Sequence, residues 1–174
     1  MKQIKILITV LGVLLIGSSS WGQYAVNFDG SSDATHASNY GFTDHDLNGI
    51  TWTGVQAIIP TTPLTGEWYN GVRSLRLRGY STSHMTMTEN KTTGIGTISF
   101  NYRRYSTDSQ ATWKVEYSTN DGGSWTQVGS DFTAPASDIV QVFSGDVNVS
   151  GNVRIRIIHA SGGASSNKRL NIDD

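Results

Sequence analysis

The chain predicts an all-β domain, a two-sheet antiparallel β-sandwich of the jelly-roll kind. Three observations predict it. From residue 24 onward, apolar and polar residues alternate with period two in segment after segment, so each strand has one buried and one wet face. The composition favours turns over helices, with 19 Gly and only 3 Pro in 174 residues, as many short strands joined by tight turns require. No stretch beyond the first 23 residues carries apolar side chains at the spacing of a long amphipathic helix.

The opening residues have a different logic. Lys2 and Lys5 give a short basic start, and residues 4–16 are then almost uninterrupted apolar sequence. Ser18, Ser19, Ser20, Trp21 and Gly22 follow. Charged start, short apolar run and small residues at the cut are the order of a cleaved secretory signal. Cleavage is expected after Gly22, which assigns residues 1–22 to the signal and 23–174 to one domain. The run is shorter than the ~20 apolar residues of a spanning helix, so no transmembrane segment is expected. A secreted or cell-surface location follows. With no Cys in the chain, a lipid-anchored form is excluded, and an exported domain must rely on core packing rather than disulfides.

The strands follow in order. Tyr24, Val26 and Phe28 alternate with Ala25 and Asn27. Ile50, Trp52 and Gly54 lead into residues 55–59, which Pro60 ends. Leu75 and Leu77 oppose Arg76 and Arg78, and Met85 and Met87 alternate with threonines. Ile98, Phe100 and Tyr102 oppose Ser99, Asn101 and Arg103. Trp113, Val115 and Tyr117 oppose Lys114 and Glu116. Val140 and Val142 mark a short strand, Val153, Ile155 and Ile157 oppose Arg154 and Arg156, and Leu170 and Ile172 begin the last. Eight to ten such strands at short spacing specify the sandwich. The final strand is expected to run past Asp174, so the chain reads as the leading part of a longer protein with further domains.

Several motifs bear on chemistry. Ser118, Asn120, Gly122, Ser124 and Trp125 have the spacing of an Asp-box hairpin, with Asn120 in place of Asp. Such polar side chains satisfy turn backbone groups and are no evidence of glycosidase activity. Asp44, Asp46 and Asn48, followed by Gly49, match the first half of an EF-hand loop, but the twelfth position is Val55 rather than Glu. A true EF-hand is excluded; a looser calcium loop and a plain polar turn both stay open. A second calcium candidate is architectural. If the first and last strands run side by side, Asp29 meets Asp173 and Asp174, and a structural Ca²⁺ would neutralise them. The four histidines show no zinc-ligand spacing.

No G-x-S-x-G elbow or phosphate loop is present. Glu67, beside Trp68 and Tyr69, is half of a carboxylate pair at most. The chain is therefore read as non-catalytic. For binding, Arg76, Arg78, Arg103, Lys114, Arg154 and Arg156 form a basic stripe if their strands share one sheet. Otherwise they are an ordinary solvated face. Trp52, Trp68 and Tyr69 are the candidates for stacking on sugar rings. The formal net charge, −1 for the chain, gives no global pull toward nucleic acid. A polysaccharide or other surface polymer is the expected partner, with nucleic acid as runner-up.

Longer strings complete the picture. Leu47-Asn48-Gly49-Ile50-Thr51-Trp52 precedes Asn70-Gly71-Val72-Arg73-Ser74-Leu75-Arg76-Leu77-Arg78-Gly79. Gly94-Ile95-Gly96-Thr97-Ile98-Ser99-Phe100-Asn101-Tyr102-Arg103, Trp113-Lys114-Val115-Glu116-Tyr117-Ser118, Val147-Asn148-Val149-Ser150-Gly151-Asn152-Val153 and Asn171-Ile172-Asp173-Asp174 follow. Together they resemble a jelly-roll domain of secreted bacterial multidomain proteins, distantly similar to MAM domains and carbohydrate-binding modules. Such domains occur beside secreted nucleases and type IX sorting domains. The resemblance implies an accessory module for adhesion or substrate targeting, without catalytic residues, or a spacer or nuclease-associated domain in the alternative.

Overall fold

A computed structural model describes residues 23–174; the expected signal segment lies outside the described residues. Eleven strands are present among them: β1 (Gly41–Leu47), β2 (Ile50–Val55), β3 (Ala57–Ile58), β4 (Leu75–Gly79), β5 (His84–Met87), β6 (Ile95–Arg104), β7 (Thr112–Ser118), β8 (Thr126–Phe132), β9 (Gln141–Val149), β10 (Arg154–Ser161) and β11 (Ser165–Asp173). They build a six-stranded sheet in the order β1-β2-β5-β10-β7-β8 and a five-stranded sheet in the order β3-β4-β11-β6-β9. Every ladder is antiparallel. No helix among the described residues is long and apolar enough to cross a membrane.

Alternation decides which side chains meet between the sheets. Trp52, Met85, Met87, Ile155, Ile157, Trp113 and Val115 face inward from the first sheet. Leu75, Leu77, Leu170, Ile172, Phe100, Tyr102 and Phe143 answer from the second. Each large side chain removed from water contributes about 1.5–3 kcal/mol. Phe100 stacks on Phe143 at 4.9 Å and meets Phe132 edge-on at 5.6 Å, closing one end of the core.

Two segments differ from the sequence expectation. Residues 24–28 form no strand. They are held by side chains instead: Tyr24 Oη donates to the Leu47 carbonyl, and Asn48 Nδ2 donates to that of Ala25. Phe28 still reaches the core. Conversely, β1 occupies the stretch read as a calcium loop. A bulge between Phe42 and His45 shifts its register, and this breaks the period that would have revealed it. Asn48 and Gly49, at φ 53° and 84°, are the two central residues of the β1–β2 hairpin, a turn that needs positive φ at both positions.

The 118–125 hairpin is built as its spacing suggests. Asn120 Oδ1 accepts from Ser124 N at 2.9 Å and from Ser118 Oγ at 2.8 Å, while Ser118 Oγ accepts from Gly122 N. Asn120→Ala is expected to lower stability by about 1–2 kcal/mol and Asn120→Asp to be nearly neutral. Urea denaturation of both variants checks this; equal losses would show that the turn does not depend on the accepting oxygen.

Candidate functional site

The sheet order separates the arginines. Arg76 and Arg78 lie on β4 and Arg103 on β6, all in the five-stranded sheet, whereas Lys114, Arg154 and Arg156 lie on β7 and β10 in the other. The single basic stripe therefore does not form. On the six-stranded sheet Glu116 sits between Lys114 and Arg156, 2.6 Å from each. Burial pushes its carboxyl up, but the hydrogen bonds from Lys114 and Arg156 outweigh this and hold it below the ordinary range. Arg156 also lies over Trp125, 4.3 Å from the ring centroid, and Arg154 Nε donates to Asn90 Oδ1 at 2.9 Å. These side chains are engaged with one another.

The outer face of the five-stranded sheet is more unusual. Arg76 stands opposite Asn171, and Asn171 opposite Arg103. Arg76 was expected to point into water, yet its side chain is only 2% exposed, because the 61–73 loop folds over it. Its Nη1 lies 3.1 Å from Glu67 Oε2, and the Glu67 side chain is fully buried. Glu67 also accepts from Leu64 N and Asn171 Nδ2. Thus Glu67 is an ion-pair partner that the loop turns inward onto Arg76. Around this pair runs an alternating column. Arg78 covers the Tyr40 ring at 3.7 Å, Arg76 lies 5.2 Å from both Tyr40 and Tyr105, and Arg169 covers Tyr105 at 3.8 Å. Arg169 grips Asp108 through Nε and Nη2, at 2.7 and 3.0 Å.

The same loop presents the aromatic candidates. Trp68 N donates to Asn171 Oδ1, and Ser74 Oγ donates to the Trp68 carbonyl. These bonds pin the loop to β4 and β11, leaving Trp68 half-buried and Tyr69 40% exposed. Trp52 is a correction. It is 7% exposed, lies in the core, and donates its indole N–H to Tyr24 Oη. The inward parity of β2 dictates this, since Ile50 and Gly54 share its face.

The acids of the first and last segments do come near one another. Asp29 Oδ1 accepts from Val72 N at 2.6 Å; Asp173 Oδ2 accepts from Asn70 N at 2.7 Å; Asp174 Oδ2 accepts from Asn70 Nδ2 at 2.6 Å. Gly71, at φ +113°, permits this crossing: a Cβ there would lie 2.2 Å from Asp29 Oδ2. Asp173 is fully buried and has no ion-pair partner among the described residues. Burial, reinforced by the charges of Asp174 and Asp29 and partly offset by the Asn70 hydrogen bond, pushes its carboxyl up to about 7. Asp44, Asp46 and Asn48 are employed otherwise. Asp46 Oδ1 accepts from Gly49 N, Asn48 holds Ala25, and Asp44 sits at the β1 bulge with φ 46°. The stretch is a hairpin, in which Asp46 and Asn48 each already make a hydrogen bond to backbone. Among the described residues no three His, Cys, Asp or Glu side chains gather as a ready metal site, so any cation at Asp29, Asp173 and Asp174 would need amide oxygens as well.

β6 pairs with β9 from Ile95 to Tyr102 but with β11 only across residues 101–104. Between residues 95–100 and 24–28 lies a cavity of about 740 Å³, lined by Trp52, Met87, Ile98, Ile155 and Ile172 among others.

Sequence reasoning missed Tyr40, Asp108, Asp138 and Arg169. Their partners are 30 or more residues away in the chain, and no local spacing announces them.

No family model and no curated protein matches this chain. Solved structures do. A family 29 carbohydrate-binding module is 13% identical, covering 78% of this chain and 82% of its own, with a TM-score of 0.51. The CBM22-1 xylan-binding domain of Paenibacillus barcinonensis Xyn10C is 12% identical, covering 87% and 89%, with a TM-score of 0.53. The K2 cleaved adhesin domain of Lys-gingipain is 14% identical, covering 87% and 96%, with a TM-score of 0.55. The chain thus shares the jelly-roll fold of carbohydrate-binding modules and of an adhesin domain.

Proposed function

We propose that this chain is a non-catalytic extracellular module that binds carbohydrate or another surface polymer. The observation that carries the reading is the outer face of the five-stranded sheet. There a loop tied to Asn171 and Ser74 carries Trp68 and Tyr69, and Asn171 stands opposite Arg103, on a fold that known carbohydrate-binding modules share. Aromatic faces and guanidinium groups suit sugar rings and their hydroxyls. Glu67 is committed to Arg76, which leaves the loop a platform rather than a catalytic cleft. A Ca²⁺ held by Asp29, Asp173 and Asp174 with neighbouring carbonyl or amide oxygens belongs to the same proposal. The donors are hard oxygens, and the buried Asp173 lacks a cationic partner among the described residues.

The test is affinity electrophoresis through gels containing individual polysaccharides. Trp68→Ala and Tyr69→Ala should each weaken binding roughly tenfold, the scale of losing one aromatic anchor. Circular dichroism should be unchanged, because the loop is pinned through backbone groups. Retardation by no polymer in a broad panel would overturn the proposal.

A further inference from the structure

Arg103 and Arg104 close the C-terminal end of β6, and both reach the same carboxylate. Arg103 Nη2 lies 2.7 Å and Arg104 Nη2 3.6 Å from Asp138 Oδ1. The Asp138 side chain is 67% exposed and sits in the link between β8 and β9, whereas the two arginine side chains are only 22% and 15% exposed. The Nε atoms of both arginines are buried without a hydrogen-bond partner. Two guanidinium groups therefore share one carboxylate, held at one side only, and positive charge remains in excess. The Arg103 hydrogen bond outweighs a slight burial and holds the Asp138 carboxyl below its ordinary range.

The surroundings are apolar in an unusual way. Ile139, Val140 and Val142 are 60%, 38% and 64% exposed. Val142 stands opposite Asn101, on the outward face that Asn101 shares with Arg103. Exposed aliphatic side chains grouped beside converging donors mark contact sites more often than idle surface. The planar guanidinium fork matches the geometry of a carboxylate.

We propose that Arg103 and Arg104 form a subsite for the carboxylate of a uronic acid residue in an acidic polysaccharide, with Asp138 occupying it as an internal stand-in and Ile139, Val140 and Val142 forming a shelf for the sugar's C–H face. This rests on the binding-module reading and names the substrate class. The polymer's carboxylate displaces Asp138, which swings into solvent from its exposed link. The loop that carries Trp68 and Tyr69 is tied to Asn171, which stands opposite Arg103, so one linear chain can reach both.

The experiment measures binding of the protein to polygalacturonate, dextran, dextran sulfate and duplex DNA at several salt concentrations. Polygalacturonate should bind, more weakly as salt rises. Arg103→Gln/Arg104→Gln should weaken it tenfold or more. Asp138→Asn should strengthen it severalfold, a gain that a merely structural carboxylate would not produce, with the melting curve little changed. Dextran sulfate, which carries sulfate and no uronate, bound as tightly as polygalacturonate would replace uronate with sulfate as the recognised group and overturn the uronate assignment. DNA bound at least as tightly, or Asp138→Asn without gain, would overturn the subsite. Dextran binding that depends on Trp68 and ignores Asp138 would overturn this subsite and leave the general reading standing. Binding to nothing would remove both.

Discussion

Glu67→Ala is expected to lower the stability of the fold by about 3–5 kcal/mol, the cost of removing one partner from a buried ion pair. Arg76 is 2% exposed beneath the 61–73 loop. Without Glu67 its guanidinium remains in a low-dielectric site with only the rings of Tyr40 and Tyr105 to compensate. Leu64 N loses its acceptor at the same time, and Asn171 Nδ2 keeps only its bond to Ser74 Oγ. Burial already pushes the Glu67 carboxyl upward against the Leu64 hydrogen bond and the charge of Arg76, which shows how costly desolvation is here. Replacing both partners by apolar residues, Glu67→Leu with Arg76→Met, should recover much of the loss, since neither charge is then stranded. Urea denaturation of the three proteins measures the effect. A loss below about 1 kcal/mol for Glu67→Ala is the level of an exposed pair and would contradict the burial described.

The second large effect concerns Asp173. Its carboxyl titrates near 3.8 in the unfolded chain and at about 7 in the fold. Between those values the native state holds more protons than the unfolded state, so stability should fall as pH rises from about 4 to about 7. Over roughly three units the change approaches 4 kcal/mol. Asp173→Asn should flatten this slope. If a cation is bound beside Asp29 and Asp174, calcium added at pH 7.5 should raise the melting temperature, and a chelator should reverse it. Melting indifferent to calcium would remove the metal proposal and leave the pH slope as a separate test of the buried acid. A flat pH profile in the unsubstituted protein would show that Asp173 is solvated.

The sandwich was legible because most strands keep strict alternation. Residues 75–78 and 153–157 needed no tertiary information. β1 was illegible because its bulge interrupts the period and because Asp44, Asp46 and Asn48 drew the reading toward a polar loop. Residues 24–28 failed in the opposite sense: a correct alternation, but side-chain tethers in place of a ladder. Arg76 and Arg78 were correctly placed on the face opposite Leu75 and Leu77. That Arg76 is covered depends on a loop whose anchor, Asn171, lies about a hundred residues away. Trp52 shows the converse, since strand parity alone sends it to the core although its indole N–H wants a partner, which Tyr24 supplies. The Tyr40 and Tyr105 column required knowledge of which strands are neighbours, and alternation does not encode sheet order.

The tethers on residues 24–28 have a consequence for how the fold yields under tension. Tyr24 Oη holds the Leu47 carbonyl, Trp52 Nε1 holds Tyr24 Oη, and Asn48 Nδ2 holds the Ala25 carbonyl. These are separate bonds rather than a ladder, so a pull on this segment breaks them one at a time, each at about 1 kcal/mol. The antiparallel ladders beyond it share a load across several bonds at once. The leading segment therefore peels before the two sheets part.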